Sequence, residues 1–244
     1  MARLAAGAGH DVVAWSSADV DIADRDATRD RIRDVRPEIV VNAAYRTSDW
    51  AVTADGAAHV AVGSAGARLV HISSDAVHAG RAEPYRDAEP PSPVYPYGAA
   101  KAAAETAVRG IDPGAAVVRT SLIIGDEHSA QVRLCLDLAT GRRAGALHTD
   151  EFRCPIAVAD LAAAVLELAL SDWAGPINVA GPQAISRAEL GALVAARYGL
   201  DPACVPTRTT AESGLGPRPG TVVLDSSRAA ARLSTALRPV AEFM

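Results

Sequence analysis

The stretch RLVHISS, residues 68–74, is an apolar run closed by two hydroxyls. Its length, branched side chains and polar end read as a strand covered on both faces. The pattern recurs: HDVVAW (10–15), EIVVNAA (38–44) and AAVVRTSLII (115–124) read as three more strands. Helical patterns lie between them. DRDATRDRIRDVRP (24–37) has Asp24 as a cap, Pro37 as a stop, and Asp and Arg at helical spacing. A small-residue helix is expected near 51–65 and another over 98–109. Strands spaced by helices predict an α/β fold built on a doubly wound parallel sheet.

After Gly125 the texture changes. Segments 129–141, 157–170 and 186–198 read as helices, with INVAG (177–181) as a strand between the last two. Ser186 and Glu189 have the spacing of a capping box, and Gly199 follows that helix. A soft boundary near 125 divides the chain into 1–125 and a smaller lobe, 126–244, partly interleaved with the first. RAEPYRDAEPPSPVYP (81–96) is too rich in Pro for helix or strand and reads as a long loop into the 98–109 helix. GLGPRPG (214–220) reads as another loop.

The chain has 244 residues, 49% hydrophobic and 22% charged, ordinary for a globular protein with a sizeable core. A net charge of -5 argues against a nucleic-acid partner. The longest apolar stretch, IAVADLAAAVLELAL, is interrupted by Asp160 and Glu167, so it predicts an amphipathic helix and no membrane span. No signal-peptide layout opens the chain. Cys135, Cys154 and Cys204 lack the spacing of a zinc or redox pair and read as reduced thiols of a cytoplasmic protein. His78, His128 and His148 do not cluster, so no metal is expected, and His71 reads as a core or face residue of its strand.

Among 24 Lys plus Arg there is a single lysine, Lys101, in VYPYGAAKAAAE (94–105). Tyr97 lies one helical turn before it. A free phenol has a pKa near 10, and a neighbouring ammonium lowers it. Such a Tyr can donate a proton to a carbonyl oxygen as hydride reaches its carbon. The compact ammonium suits this better than the broad fork of Arg. The same pair also fits an ordinary helix start. Ser73 and Ser74 end a strand, where ligands of open α/β sheets bind. A hydroxyl there can bond a carbonyl oxygen or simply cap a turn.

Seven segments carry a family resemblance: DVDIAD (19–24), PEIVVNAAY (37–45), ARLVHISSDAVHAG (67–80), PYRDAEPPSPVYPYGAAKAAAE (84–105), VVRTSLIIG (117–125), PIAVADLA (155–162) and VVLDSSRAAARL (222–233). From about residue 10 onward the chain resembles the extended short-chain dehydrogenases/reductases, and within them the dTDP-4-dehydrorhamnose reductase group. The resemblance implies a Rossmann-like domain followed by a lobe for a nucleotide sugar. It implies that Ser74 binds the substrate carbonyl, Tyr97 donates the proton, and Lys101 tunes Tyr97 and holds the nicotinamide ribose. It assigns Asp21 and Ile22 to the adenine, and Asn42, Ala43 and Ala44 to the strand-end loop that passes the cofactor. The implied reaction is hydride transfer from NADPH, with NADH also open, to a 4-keto sugar on a nucleoside diphosphate. Ser16 and Ser17 stand where an acid would repel a 2′-phosphate, which leans to NADP. Substrate contacts fall on Ser74, Asp75, Leu122 and Arg153. Leu122 replaces the family's Trp, and Arg153 offers a fork for a diphosphate or an interlobe salt bridge. Thr53 stands in place of a family Asn.

The family begins with a strand and a Gly-x-x-Gly-x-x-Gly turn. Here AGAGH (6–10) precedes a strand instead of following one. The sheet is therefore expected to lack its first strand, cofactor binding to be weak for the chain as it begins, and a start codon assigned late to be the reason. Two other readings stay open. One is a non-catalytic binding module, as in the regulatory subunit of methionine adenosyltransferase; the other is a sugar-nucleotide epimerase or dehydratase. The oligomeric state is open, a homodimer included.

Overall fold

The first 24 residues of the computed structural model, which describes residues 1–214 and 216–244, hold one short helix, α1 (Ala2–Gly7), and no strand. The segment 10–15, expected as a strand, joins no ladder among the described residues, and Val13 is 56% exposed. A strand persists only where neighbouring N–H and C=O groups pair with it. Asp24 then caps α2 (Arg25–Val35), its carboxylate accepting the N–H groups of Asp26 and Ala27. The chain continues through β1 (Ile39–Asn42), a π-helical turn at Ala51–Asp55, α3 (Gly56–Gly63) and β2 (Arg68–Ser74). Beyond the Pro-rich loop come α4 (Pro96–Ile111) and β3 (Ala116–Thr120).

The strand expected over 115–124 breaks at Ser121 and Leu122. There the Ser121 hydroxyl donates to Asp75 (2.7 Å) and accepts the Cys154 N–H (3.2 Å). These polar ties turn the chain out of the sheet into β4 (Ile123–Ile124). Next come α5 (Ala130–Ala139), β5 (Leu147–His148), β6 (Phe152–Arg153), β7 (Ile156–Ala157), α6 (Val158–Ala169) and β8 (Gly175–Asn178). The chain ends with β9 (Ile185–Ser186), α7 (Arg187–Arg197), β10 (Thr207–Arg208) and α8 (Ser227–Arg232). Of the loop expected at 214–220, Leu215 lies outside the described residues.

The main sheet has the order β1-β2-β3-β8, and every pair is parallel. The expected strand at 177–181 is thus the edge strand β8, so the chain returns to this sheet late. Ile32, Ala57, Val60, Ala104 and Val108 of α2, α3 and α4 pack on one face with Leu69 and Val117. Leu161, Val165 and Leu168 of α6, with Ala229 of α8, pack on the other against Val70, Val118 and Ile177. This is the doubly wound arrangement, and each such aliphatic side chain contributes about 1.5–3 kcal/mol on burial. A separate cluster joins α5 and α7 through Val132, Cys135, Leu138, Leu190 and Val194. Ser186 and Glu189 do form a capping box on α7, and Gly199 takes φ of 72° beyond its end.

The Pro-rich loop has no strand or helix, yet it is tied down. Arg81 and Tyr85 donate their N–H groups to Thr221 and Val223, and Asp225 donates back to Tyr85. Tyr85, Cys154, Ala180, Val222 and Leu224 form a small core beneath it. Among the described residues no helix is long and apolar enough to cross a membrane.

Candidate active site

The carboxyl end of β2 and the first turn of α4 meet at one place. Gly98 makes this possible: a Cβ there would lie 2.1 Å from the Ala76 carbonyl oxygen. The first turn of α4 can therefore rest on the short turn Asp75–Val77. Ser74 caps that turn, accepting the Ala76 N–H at 3.2 Å, and its hydroxyl donates to Asp75 Oδ1 at 3.2 Å. The modest reading of Ser74 as a cap and its place beside Tyr97 are thus compatible. Pro96 occupies the first turn of α4, so Tyr97 lies inside the helix, slightly earlier than the sequence pattern placed its start.

Tyr97 and Lys101 are one turn apart on α4, and the ring of the exposed Tyr45 approaches both. Its centroid is 5.9 Å from the Tyr97 ring and 5.9 Å from Lys101 Nζ. Burial pushes the Tyr97 phenol well above its ordinary value. Tyr45 adds to this, the Ser74 hydroxyl opposes it, and Asp75 and Tyr95 raise it further. The expected acidification by Lys101 is not what this geometry shows. The ammonium donates to the Ile72 carbonyl of β2 at 2.6 Å, and Lys101 is not among the charges that shift the phenol. Burial lowers Lys101 to about 8, with the Glu105 carboxylate acting the other way. At neutral pH Tyr97 is a protonated acid, and most of Lys101 is an ammonium.

The remaining expected residues divide by place. Asn42 ends β1, buried; its Oδ1 accepts the Ala44 N–H (3.1 Å) and its Nδ2 faces His71 Nδ1 (3.4 Å). Ala43 and Ala44 follow it, exposed at the same sheet edge. Asp21 is exposed and caps a local turn at Ala23, while Ile22 packs beside α3, its carbonyl 3.0 Å from His59 Nδ1. The Thr53 hydroxyl accepts the Arg46 N–H (2.9 Å) and donates to the Arg46 C=O (2.8 Å), which fixes the loop after β1. Asp75 is buried between Ser74 and Ser121.

Two substrate-side expectations are changed. Leu122 packs against the α5 and α7 cluster, because β4 has left the sheet. Arg153 is buried, and its guanidinium donates to the carbonyls of Phe152 (2.7 Å), Pro219 (2.8 Å) and Gly220, with Asp75 3.6 Å away. It straps the 219–220 segment and does not present an open fork to a diphosphate. Several neighbours were not anticipated: Tyr45, Tyr95, Glu105 and Arg119. Only Glu105 carried a local signal, four residues after Lys101 on the same helix.

A Rossmann-like sheet with Ser, Tyr and Lys at its carboxyl edge defines the class of short-chain dehydrogenases/reductases. The chain belongs to the RmlD substrate binding domain family, whose model matches residues 1–243. It is 33% identical over 255 aligned residues to dTDP-4-dehydrorhamnose reductase of Mycolicibacterium smegmatis, covering 98% of this chain and 77% of that protein. It is 30% identical to the spore coat polysaccharide biosynthesis protein SpsK of Bacillus subtilis, covering 89% and 81%. A crystal structure of dTDP-4-dehydrorhamnose reductase from Bacillus anthracis, in complex with NADP, matches with a TM-score of 0.87 at 25% identity, covering 97% of this chain and 89% of that one.

Proposed function

We propose that this chain reduces a 4-keto sugar nucleotide with NADPH, as an oxidoreductase of the dTDP-4-dehydrorhamnose reductase kind. The observation that carries the reading is the Ser74 hydroxyl and the protonated Tyr97 phenol side by side at the end of β2, one turn from Lys101. Its relatives' names and the NADP complex of a structural neighbour support it.

The nicotinamide end of the cofactor fits the residues present. Lys101 has three N–H donors, and the one bond shown, to Ile72 O, leaves others for ribose hydroxyls. Asn42, Ala43 and Ala44 line the same edge, and Asp21 and Ile22 fall at the adenine end. Among the described residues no glycine-rich turn leads from a strand into a helix, so none is assigned to the pyrophosphate. When bound, NADPH supplies hydride.

The chain's own residues handle the carbonyl oxygen. Ser74 donates a hydrogen bond to it. Tyr97 gives its proton as negative charge grows there, and its raised pKa keeps that proton in place until then. Lys101 steadies the phenolate that results. In this reading the cluster of α5 and α7 holds the nucleotide sugar. A homodimer and a cytoplasmic setting belong to the same proposal.

The test is NADPH oxidation with dTDP-4-keto-6-deoxy sugar, followed by absorbance. Tyr97→Phe is expected to lower kcat by about 10²–10⁴-fold with little change in fold. Equal rates in wild type and Tyr97→Phe remove the mechanism.

A further inference from the structure

A charged pair that the chemistry above does not use lies directly beneath Lys101. Glu105, one turn further along α4, is 1% exposed, and so is Arg119 of β3. Arg119 meets it through Nε and Nη2, with Nη2 2.8 Å from Oε2. Ser73 donates its hydroxyl to Glu105 Oε1 at 2.6 Å. The remaining guanidinium nitrogen, Nη1, donates to the carbonyls of Asp87 (3.1 Å) and Glu89 (2.8 Å) in the Pro-rich loop. One buried network therefore joins β2, β3, α4 and the loop that delivers Tyr97.

We infer that Glu105 and Arg119 are positioning residues for the reductase site: the pair holds the Pro-rich loop against α4, and Arg119 fixes the Glu105 carboxylate one helical turn from the Lys101 ammonium it supports. This rests on the reading of Tyr97 and Lys101 as the reactive edge. The groups facing Lys101 can be enumerated. Glu105 comes from α4, His71 from β2, and the Tyr45 ring from the loop after β1. His71 is fully buried, and burial together with Lys101 holds its pKa well below the ordinary value, so it is neutral. Arg119 faces Glu105 and is bonded to it. Among the described residues Glu105 is the carboxylate acting on a buried ammonium whose environment otherwise favours the free amine. Ser73 and Arg119 hold that carboxylate in place.

The single lysine makes the test direct, because lysine labelled with 13C at Cε gives one signal from the side chain of the whole chain. Its shift is followed against pH in the full chain without cofactor. The wild type is expected to titrate near 8. In Glu105→Gln the midpoint falls by roughly one unit, the effect of removing one nearby charge. Glu105→Asp, which keeps the charge, returns it toward the wild-type value. Ser73→Ala leaves it nearly unchanged. Because Glu105→Gln strands Arg119, the double variant Glu105→Leu with Arg119→Leu replaces the pair by apolar groups and retains the fold; its midpoint also falls. The alkaline limb of kcat moves down with it. Folded variants that titrate at the wild-type midpoint overturn the inference. Moved midpoints in a protein that oxidises no NADPH would instead remove the reductase reading and leave the hold on Lys101 standing.

Discussion

Arg119, under α4, and Arg153, of β6, are both buried, and the chain uses them differently. Arg119 meets a carboxylate as well as two carbonyls, so it changes the charge felt one helical turn away. Arg153 donates to three carbonyls, with Asp75 further off, so it mainly fixes where the 219–220 backbone lies. A buried guanidinium paired with a carboxylate sets electrostatics; one held by carbonyls sets geometry. The region around Lys101 is therefore sensitive to charge, and the region around Arg153 to shape.

The largest effect that separates the two is expected from Arg119→Met. It leaves Glu105 buried without its counter-ion and lowers stability by roughly 3–5 kcal/mol, read from urea unfolding. Arg153→Met removes three hydrogen bonds to carbonyls, about 1 kcal/mol each by the usual net value. Its loss is smaller, and hydrogen exchange should rise at Gly220 and Thr221 while Lys101 titrates as before. A raised exchange rate around α4 in this variant would erase the distinction. Gly98→Ala acts on geometry at the charged region instead. A methyl 2.1 Å from the Ala76 oxygen forces α4 off its turn, at about 1–3 kcal/mol and with a fall in kcat.

The last contrast is in the pH dependence of stability. Lys101 has a folded pKa near 8, below its ordinary 10.5. Between those values the unfolded chain binds more protons, so stability rises with pH there. The phenols act oppositely. Burial raises Tyr95 to about 12 and raises Tyr97 too, so stability from the neutral phenols is present below pH 10 and lost as pH climbs from 10 toward 12. Melting temperature against pH should show a shallow rise above 8 that turns over near 10. Lys101→Met should remove the rise and Tyr97→Phe part of the fall; Arg153→Met should leave the rise in place.

Much of the fold was legible because its signals are local. The Asp24 cap, the Ser186–Glu189 box and the apolar runs of β2 and β3 each depend on a few neighbouring residues. The segment 10–15 has the same composition as a strand, but a strand is a property of a pair. The break after Thr120 depends on Asp75 and Cys154, far along the chain, so AAVVRTSLII reads as one strand from sequence. At the site, Ser74, Tyr97 and Lys101 were legible from spacing and order. The direction of the ammonium was not, because the Ile72 carbonyl that receives it belongs to another element. Glu105 lay within reach of the helical spacing rule, whereas Tyr45 and Arg119 arrive only through the sheet.

Isotope transfer tests the central claim most directly. The full chain is incubated with NADPH carrying deuterium at the transferable C4 position and with dTDP-4-keto-6-deoxy sugar, and the sugar is analysed by mass spectrometry and NMR. One deuterium at the sugar C4 in the wild type, greatly slowed in Tyr97→Phe, is the expected result. A sugar recovered without deuterium, or labelled equally fast without the phenol, would contradict the account.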